Sequence, residues 1–168
     1  MSGPDPLVAA TRAADLVAVL TARQETVATA ESLTAGLLAA TIAGVPGASL
    51  VLRGGLVVYA TDLKASLADV DVRALERDGP VAESTAAALA LGAVRRCGAT
   101  WGIGLTGVAG PDEQDGHRPG TLFLGISGPS GTVVARPHVT GNRWQIRLGA
   151  AAAAVSGLLA RLESPSAL

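Results

Sequence analysis

The stretch ATAESLTAG, residues 28–36, places a carboxylate, Glu31, and two hydroxyls, Ser32 and Thr34, directly after the β-favouring run Thr26-Val27-Ala28-Thr29. Ala35 and Gly36 follow, and then an apolar helical run begins. A Ser at a strand-to-helix junction has two uses. It is a preferred helix N-cap. It is also a nucleophile placed near the positive end of a helix. The two uses are compatible, and spacing does not choose between them. The surrounding residues do not form a G-x-S-x-G elbow.

Lys64 lies in VVYATDLKASLADV, a segment with few charges that follows closely on a predicted buried strand. An exposed helical Lys is simply a solvated charge. A Lys held in a desolvated pocket has a lowered pKa and acts as a base toward a Ser hydroxyl. The separation between Ser32 and Lys64 rules out a local S-x-x-K arrangement, so any pairing must be made by the fold. Tyr59, the only tyrosine, reads either as a strand-end core residue or as a hydrogen-bonding partner of that pair.

A third polar segment is Thr106-Gly107-Val108-Ala109-Gly110-Pro111. Gly107 and Gly110 allow backbone N–H groups to turn inward as an anion-binding nest, which suits a phosphate or an oxyanion. A turn-rich hairpin loop is the plainer alternative. Asp112, Glu113 and Asp115 would repel an anion and are expected to face solvent. Arg143 and Arg147, four apart, share one helix face and read as a surface pair or as a phosphate clamp. His117 and His138 lack partners at metal-ligand spacing, and Cys97 reads as a packed thiol.

The elements that must carry these residues are legible from periodicity and punctuation. Helices are predicted from Pro6 to about Arg23, Thr34 to about Ala43, Glu83 to Arg96 and Asn142 to about Leu162. Two short helices are expected after Thr61 and over Val72–Arg77. Strands are predicted at Thr26–Ala30, within Leu50–Ala60 and at Thr100–Leu105. A hairpin follows over Thr121–Ser127 and Thr132–Val139. Helices alternate with strands early and an antiparallel pair arrives late, which argues for a three-layer α/β/α sandwich with a mixed, mostly parallel sheet. Ligands in open α/β sheets sit beyond the carboxyl ends of strands, so the three polar segments are expected to converge on one cleft. With no repeat and no composition break, residues 1–168 read as one domain, with 1–5 and 164–168 as loose tails.

Composition narrows the function classes. Hydrophobic residues make up 49% of the chain and mean hydropathy is +0.41, so disorder is not expected over most of its length. Aromatics make up only 2% and net charge is −1, which argues against base-stacking platforms and a basic nucleic-acid footprint. One cysteine permits neither an internal disulfide nor a zinc cluster, and fits a reducing cytoplasm. No basic-then-apolar leader is seen, and the apolar runs fall short of the roughly 20 residues of a spanning helix. The Ala-rich helices suggest self-association.

Four motifs in fixed order carry a resemblance: AESLTAG, YATDLK, GLTGVAGP with RPGT beyond it, and GNRWQIR. They resemble the CinA C-terminal domain family over about Thr26 to Leu159. The resemblance implies a three-layer α/β/α fold and a nicotinamide mononucleotide deamidase, which releases nicotinate mononucleotide and ammonia. It implies Ser32 as nucleophile, Lys64 as its general base and Tyr59 as an assisting or orienting group. It associates Glu31, Thr34, Gly36, Thr106, Gly107 and Gly110 with substrate binding, and Arg143 with the substrate phosphate. It implies no metal or organic cofactor. Two other classes are to be weighed: a nucleotide-binding or regulatory domain without turnover, and an accessory protein of competence or the DNA-damage response. The expected partner is a small mononucleotide and a second copy of the chain, with no direct nucleic-acid or membrane binding.

Overall fold

Five strands form a single sheet in the computed structural model, which describes residues 5–164. In chain order they are β1 (Val27–Glu31), β2 (Leu52–Val57), β3 (Trp101–Gly107), β4 (Leu122–Gly128) and β5 (Gly131–Ala135). Their spatial order is β2-β1-β3-β4-β5. β1 runs parallel to both β2 and β3, while β3–β4 and β4–β5 are antiparallel. The mixed sheet expected from the early alternation and the late hairpin is therefore present. The central strands β1, β3 and β4 are almost wholly buried, as strands covered on both faces must be.

Among the described residues seven α-helices cover the two faces: α1 (Pro6–Ala9), α2 (Ala13–Arg23), α3 (Leu37–Ala43), α4 (Thr61–Ala68), α5 (Val72–Asp78), α6 (Glu83–Cys97) and α7 (Arg143–Glu163). One face packs α2, α3 and α7 through Leu16, Leu20, Ile42, Val155, Leu158 and Leu159. The other packs α4, α5 and α6 through Ala68, Leu75, Leu89 and Ala93. This is the α/β/α sandwich. The abundance of Ala and Gly has a physical cause at the second face. A Cβ on Gly104 would lie 2.4 Å from the Ala86 carbonyl oxygen, and one on Gly125 would lie 2.2 Å from the same atom. α6 thus rests on the sheet backbone itself, a closeness only glycine permits.

Four boundaries depart from the sequence reading. The first helix is two, because the Thr11 hydroxyl bonds the Leu7 carbonyl and accepts from Ala13 N–H, breaking the run at residues 10–12. α3 begins at Leu37 rather than Thr34. Ala60, not Thr61, holds the cap position of α4. β5 stops at Ala135, ahead of Pro137, which cannot donate to a ladder. Of the predicted tails, residues 1–4 and 165–168 lie outside the described residues. Asp5 caps α1, accepting from Leu7 N–H at 2.8 Å, and Ser164 ends α7.

Candidate active site

The turn that carries Ser32 is built around a buried carboxylate. Glu31, 1% exposed, ends β1 with its side chain toward α3. Its Oε2 accepts from Gly36 N–H (3.1 Å) and Leu38 N–H (3.0 Å), and its Oε1 from Ala39 N–H (2.9 Å) and the Thr29 hydroxyl (2.9 Å). The orphan donors of α3 are therefore met by Glu31 and not by Ser32. The reading of Ser32 as an N-cap is corrected: the helix starts five residues later, at Leu37. Ser32 instead anchors its backbone N–H to Leu105 on β3 (2.9 Å), leaving its hydroxyl for other use. Arg147 on α7 grips the same turn from the other side, donating to the carbonyls of Leu33 and Thr34, both at 3.0 Å. Ala35 and Gly36 both take positive φ, 48° and 93°, which lets the chain turn sharply into α3.

Lys64 is the only lysine in the chain, and it is 1% exposed. It projects from the first turn of α4, directly after β2. Its Nζ lies 3.0 Å from Ser32 Oγ, 2.8 Å from the Val58 carbonyl oxygen and 3.3 Å from that of Tyr59. Among the described residues no carboxylate pairs with it. Burial without a counter-charge lowers its pKa from 10.5 to about 8. Three acceptors surround Nζ, which matches the three donors of the ammonium; on losing a proton the amine keeps two N–H groups for the two carbonyls and turns a lone pair to the Ser32 hydroxyl. The solvated-charge reading of Lys64 is excluded by its burial.

Both residues open onto a cavity of about 390 Å³, within the range of small-molecule sites. It lies beyond the carboxyl ends of β1, β2 and β3, where the topology predicts it. Thr106, Gly107 and Gly110 line it, together with Tyr59 and Arg143. Thr106 uses its hydroxyl to bond the Pro80 carbonyl. Gly107 cannot carry a side chain, since a Cβ would lie 2.3 Å from the Thr121 carbonyl oxygen. Among the described residues, the N–H groups of Leu33, Ala109 and Gly110 donate to no acceptor, and all three residues line the cavity. Gly110 is in the left-handed region (φ 83°), the conformation an anion-binding nest requires.

Tyr59 is 55% exposed, so it is not a strand-end core residue. Its hydroxyl accepts from Arg143 at 2.9 Å, while only its backbone carbonyl touches Lys64. Arg143 also donates to the Gly110 carbonyl, spanning the rim from α7 to the β3–β4 loop. A capping box formed by Asn142 and Gln145 fixes the start of α7 and hence Arg143. Asp112, Glu113 and Asp115 are exposed as expected, with Asp112 and Glu113 on the cavity edge.

The structure thus brings Ser32, Tyr59, Lys64, Thr106, Gly107, Gly110 and Arg143 together. It leaves Glu31, Thr34 and Gly36 out of the lining: Glu31 and Gly36 bond each other, and Thr34 is fully buried. Sequence reasoning did not find Pro80 and Val81, which reach the cavity from the loop before α6 and carry no chemical signal. It left Arg147 as part of a surface pair or phosphate clamp; the four-residue spacing from Arg143 was the available clue.

Fold and cavity together define a class, an α/β/α sandwich with a buried Lys against a half-buried Ser at the ends of its parallel strands. The chain belongs to the CinA C-terminal domain family, whose sequence profile matches residues 9–162. It is 46% identical over 140 residues to a CinA-like protein of Frankia casuarinae, covering 83% of this chain and 32% of that protein. A CinA-like protein of Anaeromyxobacter is 46% identical over 137 residues, covering 81% and 33%. The chain spans about a third of the length of these relatives. Among solved structures, the competence/damage inducible protein CihA of Agrobacterium tumefaciens superposes with TM-score 0.87 at 29% identity, covering 98% of this chain and all of that one. A CinA superfamily protein of Escherichia coli gives 0.85 at 28% identity, covering 95% and 92%.

Proposed function

We propose that the protein is an amidohydrolase that deamidates nicotinamide mononucleotide through Ser32 and Lys64. The observation that carries the reading is the 3.0 Å approach of a buried lysine, with no carboxylate partner among the described residues, to the Ser32 hydroxyl. Neutral Lys64 takes the Ser32 proton as Oγ attacks the carboxamide carbon. Backbone N–H groups of the lining, with Leu33, Ala109 and Gly110 unengaged, stabilise the oxyanion. Collapse expels ammonia, which receives its proton from the Lys64 ammonium, and leaves an acyl-enzyme on Ser32. Water, deprotonated by Lys64, then releases nicotinate mononucleotide and restores the hydroxyl. Arg143, held among the described residues only by neutral acceptors, offers its charge to the substrate phosphate, and Tyr59 orients that guanidinium. The reading includes a cytoplasmic location and self-association.

The test is ammonia release from nicotinamide mononucleotide by the wild type and by Ser32→Ala. Turnover should fall by at least about 10³-fold in the variant, as when a nucleophile is removed from a dyad. Substrate binding without turnover in the wild type would favour the nucleotide-binding, regulatory reading instead.

A further inference from the structure

Away from the Ser–Lys cavity, two arginines and both histidines of the chain meet at one groove. A groove of about 530 Å³ runs between the segment His117–Thr121 and the segment Arg136–Thr140. Both histidines of the chain, His117 and His138, line it with Arg118 and Arg136, and no carboxylate lies among its lining residues. Phe123 organises this set. The Arg136 guanidinium carbon stands 5.0 Å over the Phe123 ring centroid. His117 meets the same ring edge-on, at 6.2 Å and 84°. Two donors are thus held by a buried aromatic rather than waving free in solvent.

We propose that this groove is a second binding site, for a small phosphate-bearing anion. Two guanidiniums and two imidazoles supply planar and point donors, the combination that recognises phosphate oxygens. Thr121 and Thr140 add hydroxyls at the wall. The carboxylates that meet the arginines, Glu83 at 3.0 Å from Arg136 and Glu113 at 3.6 Å from Arg118, form exposed ion pairs. Such pairs are weak and leave both guanidiniums available to an anion in the groove. The proposal stands on the groove alone and does not depend on the amidase reading. The groove and the cavity share the β3–β4 loop. Residues 106–114 line the first site and residues 117–121 line the second.

The two histidines give a site-resolved probe. Imidazole resonances of histidine-labelled protein are followed during titration with inorganic pyrophosphate, with sodium chloride at matched ionic strength as control. Both signals should shift together and saturate at millimolar pyrophosphate but not in chloride. The response should survive Arg143→Ala, and the affinity should fall about tenfold in Arg136→Ser and in Arg118→Ser. Arg118 is 88% exposed along its side chain, so its replacement keeps the test independent of folding. Absence of a saturable shift, an equal shift in chloride, or a shift lost in Arg143→Ala but retained in both serine variants would overturn the proposal.

Discussion

The two walls of the cavity are built in opposite ways. The Ser32 turn is locked: a buried carboxylate holds the amides of Gly36, Leu38 and Ala39, a guanidinium holds two carbonyls, and Ser32 N–H is tied to β3. The facing loop, Pro111–Gly116, is exposed throughout and is tied only by a two-residue bridge between Gln114 and His117 and an exposed Glu113–Arg118 ion pair among the described residues. The wall that carries Ser32 is preorganised, and the wall across the cavity from it is adaptable. Reactive groups must be placed to a fraction of an ångström, whereas recognition tolerates adjustment.

The largest break in this contrast should come from Glu31→Ala. It strands three amides in a buried position and should cost about 3 kcal/mol or more of stability, measured by urea denaturation, with loss of turnover. Lys64 gives a comparable effect that depends on pH. Its pKa is about 8 folded and 10.5 unfolded, so burial of its charge opposes folding fully below pH 8. That opposition fades as pH rises from 8 to 10.5, where the unfolded chain binds more protons. Stability of the wild type relative to Lys64→Met should therefore rise by about 3 kcal/mol across that window. Arg147→Ala should cost about 1–2 kcal/mol, because two carbonyls lose a charged donor, and should lower kcat more than it raises KM. The smallest effect belongs to the open wall. Asp112→Asn with Glu113→Gln should change stability by no more than about 0.5 kcal/mol and should lower KM for an anionic substrate by removing repulsion.

The same contrast explains what the sequence made legible. Strand and helix identities followed from periodicity, Gly and Pro punctuation and the Gly128–Gly131 turn, since these are local properties. The convergence of Ser32, Lys64 and Thr106 followed from a topological rule about strand ends. The role of Glu31 did not follow, because a carboxylate beside a Ser looks the same whether it faces a substrate or a helix start. Only the turn geometry at Ala35 and Gly36, which delays α3 to Leu37, decides that. Arg147 was equally ambiguous, since its partners are carbonyls 113 and 114 residues away in the chain.

The central claim is that Lys64 is held as a base, and the chain offers a direct test because it contains no other lysine. Protein labelled with ¹³C at lysine Cε gives one resonance, whose shift is followed against pH. A midpoint near 8, with the resonance perturbed in Ser32→Ala, is the result the structure predicts. A midpoint at the ordinary value of 10.5 would contradict it, leaving Ser32 beside a permanent ammonium with no base to activate it.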